Sequence, residues 1–166
     1  MKTVEFEKLS INIDTNDSVT IYTFNGDISE HFAHNKLPYF NTEQTVLVLD
    51  YITTFNSIGT REWIHFVDAV SQNSTPVFRN CSVAMIDQIN MVPECLGKGF
   101  VESFYAPYFC DCGEEVNKLV SIKENIDILS NSTAPEFSCD ACGKTLEFDA
   151  LEESYFQFIN SSSKAG

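Results

Sequence analysis

Val46-Leu47-Val48-Leu49-Asp50 opens the stretch that decides the fold, and Arg61-Glu62-Trp63-Ile64-His65-Phe66-Val67-Asp68-Ala69-Val70 closes it. Four consecutive apolar residues before an Asp suit a central strand covered on both faces. Trp63, Phe66, Val67 and Val70 then fall on one stripe at helical spacing, with Arg61, Glu62 and Asp68 off it. The reading predicts a strand, a polar passage through Thr53-Thr54 and Asn56-Ser57-Ile58-Gly59, and a helix from about Gly59 to Val70.

Working outward, Ser18 to Phe24 is rich in β-branched and aromatic residues and precedes the turn pair Asn25-Gly26, which predicts a strand. Ile28 and Phe32, four apart, predict a short helix ending before Pro38. Residues 1–17 are polar and weakly patterned, with a short edge strand at Val4 to Phe6. Downstream, Pro76 breaks the helix and Val77-Phe78 reads as a strand. Ser82 caps a second helix with Val83, Met85, Ile86 and Ile89 inward, and Phe100 to Tyr105 reads as a further strand. Strands alternating with helices of about three turns predict an α/β layer with a partly parallel, mixed sheet. Pro107 is read as a boundary between a main domain over 1–106 and a small module over 107–160, with a disordered polar tail over 161–166.

Four of the six cysteines stand in two short pairs, Cys110-Asp111-Cys112-Gly113 and Cys139-Asp140-Ala141-Cys142-Gly143. Two turns that each present two thiolates to one point are what a tetrahedral structural Zn²⁺ needs, and four thiolates leave no open position for chemistry. The first pair has one residue between its thiols where two are usual, so a tighter turn is required. Between the pairs, Val116 to Ile122 and Ile126 to Leu129 are strand candidates. A capping box at Asp149 and Glu152 predicts a last helix carrying Leu151, Tyr155 and Phe158 on one stripe, unstable alone and so packed against the rest. Cys81 and Cys95 read as core residues. The competing reading is a thiol redox pair at Cys139 and Cys142.

Charge limits the partners. Ten Lys plus Arg stand against 24 Asp plus Glu, a formal charge of −14, and no basic cluster appears. Phosphate backbones and anionic membrane surfaces repel such a chain. The carboxylates among the first eight residues predict no export signal and a cytoplasmic location. His31 and His34 lie three apart without a completing carboxylate motif, and His65 sits beside Trp63-Ile64. Without a phosphate loop, a nucleophile elbow or an HExxH, the sequence predicts a binding protein and no enzyme.

Phe24-Asn25-Gly26-Asp27-Ile28, Val46 to Asp50 and Asn56-Ser57-Ile58-Gly59 before an amphipathic helix together resemble the STAS domain family, over roughly residues 10 to 106. That family includes the anti-sigma factor antagonists of bacteria. The resemblance implies a mixed sheet with helices mainly on one face. It also implies reversible binding of a signalling protein, often a kinase-like anti-sigma factor. The family's switch is a phosphorylated Ser or Thr in an Asp-Ser-Ser/Thr-Gly turn. Here Asn56 holds the Asp position and Ile58 the phosphate position, so the usual switch is missing; Ser57 or Thr60 are the substitutes, and a helix cap is the simpler role for Ser57. The partner surface predicted on this basis is Asn56, Ser57, Ile58, Gly59, Thr60 and Trp63. A small-molecule-sensing STAS-like domain is the alternative. The zinc module lies outside the usual family pattern.

Overall fold

The computed structural model describes the backbone of residues 1–164 and side chains through Asn160; the tail expected over 161–166 lies outside the described residues except for helical backbone to Lys164. Its centre is a six-stranded sheet in the order β1-β2-β3-β4-β5-β6. Strands β1 (Lys2–Phe6), β2 (Leu9–Thr15) and β3 (Val19–Ile28) run as an antiparallel meander, and β3, β4 (Gln44–Phe55), β5 (Pro76–Arg79) and β6 (Phe100–Val101) run parallel. Helices α1 (Ser57–Val70) and α2 (Val83–Met91) fill the β4–β5 and β5–β6 crossovers. The mixed α/β class predicted from the alternation is the class observed.

Packing follows the stripes. Tyr22, Leu47 and Phe78 are register partners across β3, β4 and β5, and all are buried. Trp63 of α1 meets the Phe24 and Phe78 rings at 5.1 and 6.2 Å, and Phe66 meets Tyr22 at 5.3 Å. Gly59 sets how closely α1 approaches the sheet. A Cβ there would stand 2.0 Å from the Ile28 carbonyl oxygen, so only glycine lets the first turn rest on the end of β3.

Several local expectations are corrected. Residues 9–15 form a full strand, because Leu9, Ile11 and Ile13 alternate inward at period two. The helix expected through Ile28 and Phe32 is absent. Ile28 ends β3, and the loop drops Phe32 against Phe24 before a single 3-10 turn at His34–Lys36. Two apolar residues four apart do not nucleate a helix unaided.

The boundary expected at 106/107 falls inside a strand. After Glu102 the chain continues as β7 (Ser103–Phe109), the middle of a second sheet in the order β8-β7-β9, with β8 at Glu115–Ser121 and β9 at Glu147–Phe148. The two sheets are stitched at Cys81, which bridges Phe104 in parallel: its N–H donates to the Ser103 carbonyl and its carbonyl accepts from Tyr105 N–H. One hydrophobic core runs through both, from Phe24 and Trp63 to Phe104, Tyr108 and Cys110.

Ile126 to Leu129, expected as a strand, belongs to α3 (Ile122–Leu129), capped by Ser121 and burying only Leu129. The C-terminal helix is split into α4 (Glu152–Tyr155) and α5 (Gln157–Lys164). Its capping box does not form: Glu152 accepts from the Ala134 N–H, and Leu151, expected inward, is exposed. Tyr155, Phe156 and Phe158 are buried against Phe104, and α4 and α5 lie on α2, so the helix returns to the main domain as expected.

Candidate metal centre and partner surface

The β7–β8 hairpin carries Cys110 and Cys112 in its turn. The second pair sits in a loop closed by the Ser138–Thr145 bridge just before β9. Because β8 and β9 flank β7 on opposite sides, the two turns meet at one end of the small sheet. The four Sγ atoms lie within 4.8 Å of one another, with Cys110–Cys142 at 3.4 Å and Cys112–Cys139 at 3.7 Å. A tetrahedron with metal–sulfur bonds of about 2.3 Å has sulfurs about 3.8 Å apart, and a disulfide needs about 2.05 Å. The spacing therefore fits four ligands around one metal ion.

The unequal pairs are built to one plan. In the first, Cys110 N–H donates to the Glu114 carbonyl and Gly113 N–H to the Cys110 carbonyl. In the second, Cys139 N–H donates to the Lys144 carbonyl and Gly143 N–H to the Cys139 carbonyl. Every connection in the first turn is one residue shorter. The single-residue gap is absorbed by a tighter turn, which ends on Gly113 at φ +99° where the second ends on Gly143 at φ +79°. A Cβ at either glycine would meet nothing within 4 Å, so conformation and not space requires them.

Cys110 and Cys139 are buried while Cys112 and Cys142 face outward. Backbone N–H groups of Cys142 and Ala141 lower the Cys139 thiol to about 7, while Cys110 and Cys112, crowded by the other thiols, are raised. Lys118 of β8 adds a positive charge, 3.5 Å from Asp140 and 5.7 Å from the Phe137 ring centroid. Its role was not legible in sequence, because only strand register brings it across to the second turn. Cys81 and Cys95 are fully buried, and burial pushes Cys95 up to about 11, which makes both inert.

The second group of predicted site residues clusters at the start of α1 but divides in role. Asn56 is the N-cap: its Oδ1 accepts from Gly59 N–H at 2.8 Å, and its Nδ2 donates to Glu30. Ser57, expected as the cap, is instead the first helical residue and exposed. Asn56→Ala should therefore cost about 1 kcal/mol of stability in urea melts while Ser57→Ala costs almost nothing; equal effects would refute the assignment. Ile58 is 49% exposed, and Thr60 is tied to the Asn56 carbonyl and to Gln88. Trp63 leaves the surface set, being fully buried with Nε1–H donating to the Cys95 carbonyl at 2.9 Å.

Beside this turn, Phe55, Asn56, Ser57, Thr60, Gln88, Met91 and Val92 line an open cleft of about 480 Å³. The histidines form no further metal set. His31 reaches Glu7 and Glu30, while His34 binds Glu62 at 2.7 Å and stacks on His65, so the four cysteines are the metal-capable group among the described residues. Among the described residues, no helix is long and apolar enough to cross a membrane. Comparison with known proteins gives no match to a family model, to a curated protein or to a solved structure.

Proposed function

We propose that this chain is a non-enzymatic regulatory protein of STAS-like type that binds another protein at the exposed start of α1, its C-terminal ribbon held by a structural Zn²⁺. The observation that carries the binding reading is Ile58. It is a large apolar side chain, half exposed on the first turn of a helix whose Ser57 and Thr60 line a cleft together with Phe55, Asn56, Gln88, Met91 and Val92, none of them charged. Hot spots of transient interfaces have this form, an apolar anchor with an uncharged polar surround. Its occupant is a signalling protein such as a kinase-like anti-sigma factor, at a cytoplasmic location. With isoleucine at the phosphate position, control by phosphorylation passes to Ser57 or Thr60 or is lost.

Zinc is the metal because a closed set of four thiolates at tetrahedral spacing selects soft, geometrically undemanding ions. Such a site stabilises without catalysing. A redox role for Cys139 and Cys142 competes with the ligation both would provide.

The test is replacement of Ile58 by Asp, with partner capture and quantitative binding measured on metal-loaded protein. Partner affinity should fall at least tenfold while the melting temperature stays within a few degrees. Unchanged affinity for every recovered partner would remove this surface from the function.

A further inference from the structure

Met91 is 72% exposed at the end of α2, and it borders two depressions. One is the cleft beside Ser57. The other, on the far side of α2, is an open groove of about 520 Å³ between α2 and α4, lined chiefly by Asp87, Asn90, Met91, Leu151, Ser154 and Tyr155. Leu151, at its opposite wall, is 77% exposed. Two large, flexible apolar side chains thus stand in solvent on either side of a groove, where a folded chain gains nothing from them.

The polar content of the groove is one-sided. Asn90 Nδ2 donates to the Tyr155 carbonyl at 2.9 Å, which fixes the orientation of the amide, since a carbonyl accepts only. The Asn90 Oδ1 so oriented is the buried side-chain oxygen without a hydrogen-bond partner among the described residues. Asp87, exposed on the same wall, supplies the charged acceptor of the groove. The Asn90 oxygen is closed off from solvent, so the carboxylate of Asp87 is the acceptor an incoming donor meets first.

Charge points the same way. The residues lining the groove include the carboxylate of Asp87 and no Lys or Arg, on a chain of formal charge −14. The occupant must therefore bring apolar groups for Met91 and Leu151 and a positively charged donor for Asp87.

We propose that the α2–α4 groove docks a segment of another protein that presents an arginine or lysine between apolar side chains, with Met91 as the ridge joining it to the cleft at Ser57. The inference rests on the protein-binding reading and extends its surface to the C-terminal helices. A small polyamine would use the acceptors but leave both apolar walls wet. A second copy of this chain, at −14, brings the wrong charge.

Methionine methyl NMR tests it on the full metal-loaded chain, because Met85 is fully buried and reports the fold while Met91 reports the groove. The probes are a synthetic amphipathic helical peptide with Leu and Arg on one face, the same peptide with Glu for Arg, and spermidine. The Arg peptide should move the Met91 methyl signal and leave Met85 in place. Leu151→Asp should weaken that binding at least tenfold. Since the substitution adds negative charge, non-specific Coulomb attraction would instead grow, so a fall isolates the apolar anchor. Equal binding of the Glu peptide, indifference to Leu151→Asp, or the same Met91 shift from spermidine alone would each overturn the proposal. For a captured natural partner, sensitivity to Ile58→Asp without sensitivity to Leu151→Asp removes the groove but keeps the function proposed above. Insensitivity to both removes the two together.

Discussion

Chelation of the metal should free the two cysteine turns and β9 and loosen α4 and α5, leaving β7 in the shared core. Strand β9 has little to hold it otherwise, being a two-residue strand whose pairing to Tyr108 and Phe109 ends beside Cys110, whereas β7 and β8 are paired along their length. Phe148 of β9 stacks on Phe156 at 5.1 Å and meets Tyr108 at 5.5 Å, so losing the metal turns removes the platform for the C-terminal rings. Structural zinc sites contribute about 10–16 kcal/mol of apparent binding free energy near neutral pH, against a total stability of roughly 5–15 kcal/mol for a domain. The expected readouts are one zinc per chain and a large fall in melting temperature on adding chelator. Thiol reactivity gives a stepwise check. None of the six cysteines should alkylate rapidly in the loaded protein, four should do so after chelation, and Cys81 and Cys95 should follow only in denaturant. Four fast thiols before chelation would refute the metal site and restore the redox alternative. Cys110→Ser and Cys139→Ser should reproduce the chelated state without chelator.

Trp63→Ala should destabilise the protein by about 3–5 kcal/mol, through lost burial and the cavity left behind. The ring is surrounded by Phe24, Phe55, Phe66 and Phe78, and its N–H meets the Cys95 carbonyl, which would lose its side-chain donor. It is the single tryptophan, so the transition must be followed by far-ultraviolet circular dichroism. Trp63→Phe, which keeps most of the volume, should recover part of the loss and leave partner binding intact. A Trp63→Ala protein of near-normal stability but lost binding would return this residue to the partner surface.

The misassigned helices and strands share a physical cause. Ile28 and Phe32 satisfy a helical spacing, but burial against Phe24 is available to a loop as well, and nothing local caps or propagates a helix there. Ile126 to Leu129 carries β-branched residues, yet Ser121 offers a cap and the segment needs to bury only Leu129. Leu151 looks inward on a helical wheel, but it is the extended residue before α4 and so lies off the helical stripe, while Phe156 at the break between α4 and α5 is buried. Short segments like these carry too little apolar surface to decide their own conformation, so the neighbouring core decides for them.

The longer patterns behaved otherwise. Val46 to Leu49, the Trp63–Val70 stripe and the Val83–Ile89 helix each hold enough apolar periodicity to specify a buried element, and together they determined the α/β class. The cysteine pairs likewise named the four thiols that gather into a metal-capable cluster, since thiol and glycine spacing are local properties of a turn. Tertiary structure alone decided that 1–106 and 107–160 share one core, because the join is a strand passing from one sheet to the next, and composition carries no trace of pairing. It alone exposed Met91 and Leu151, since which apolar residues reach solvent depends on how helices far apart in sequence meet, whereas the burial of Trp63 follows from its place on the α1 stripe.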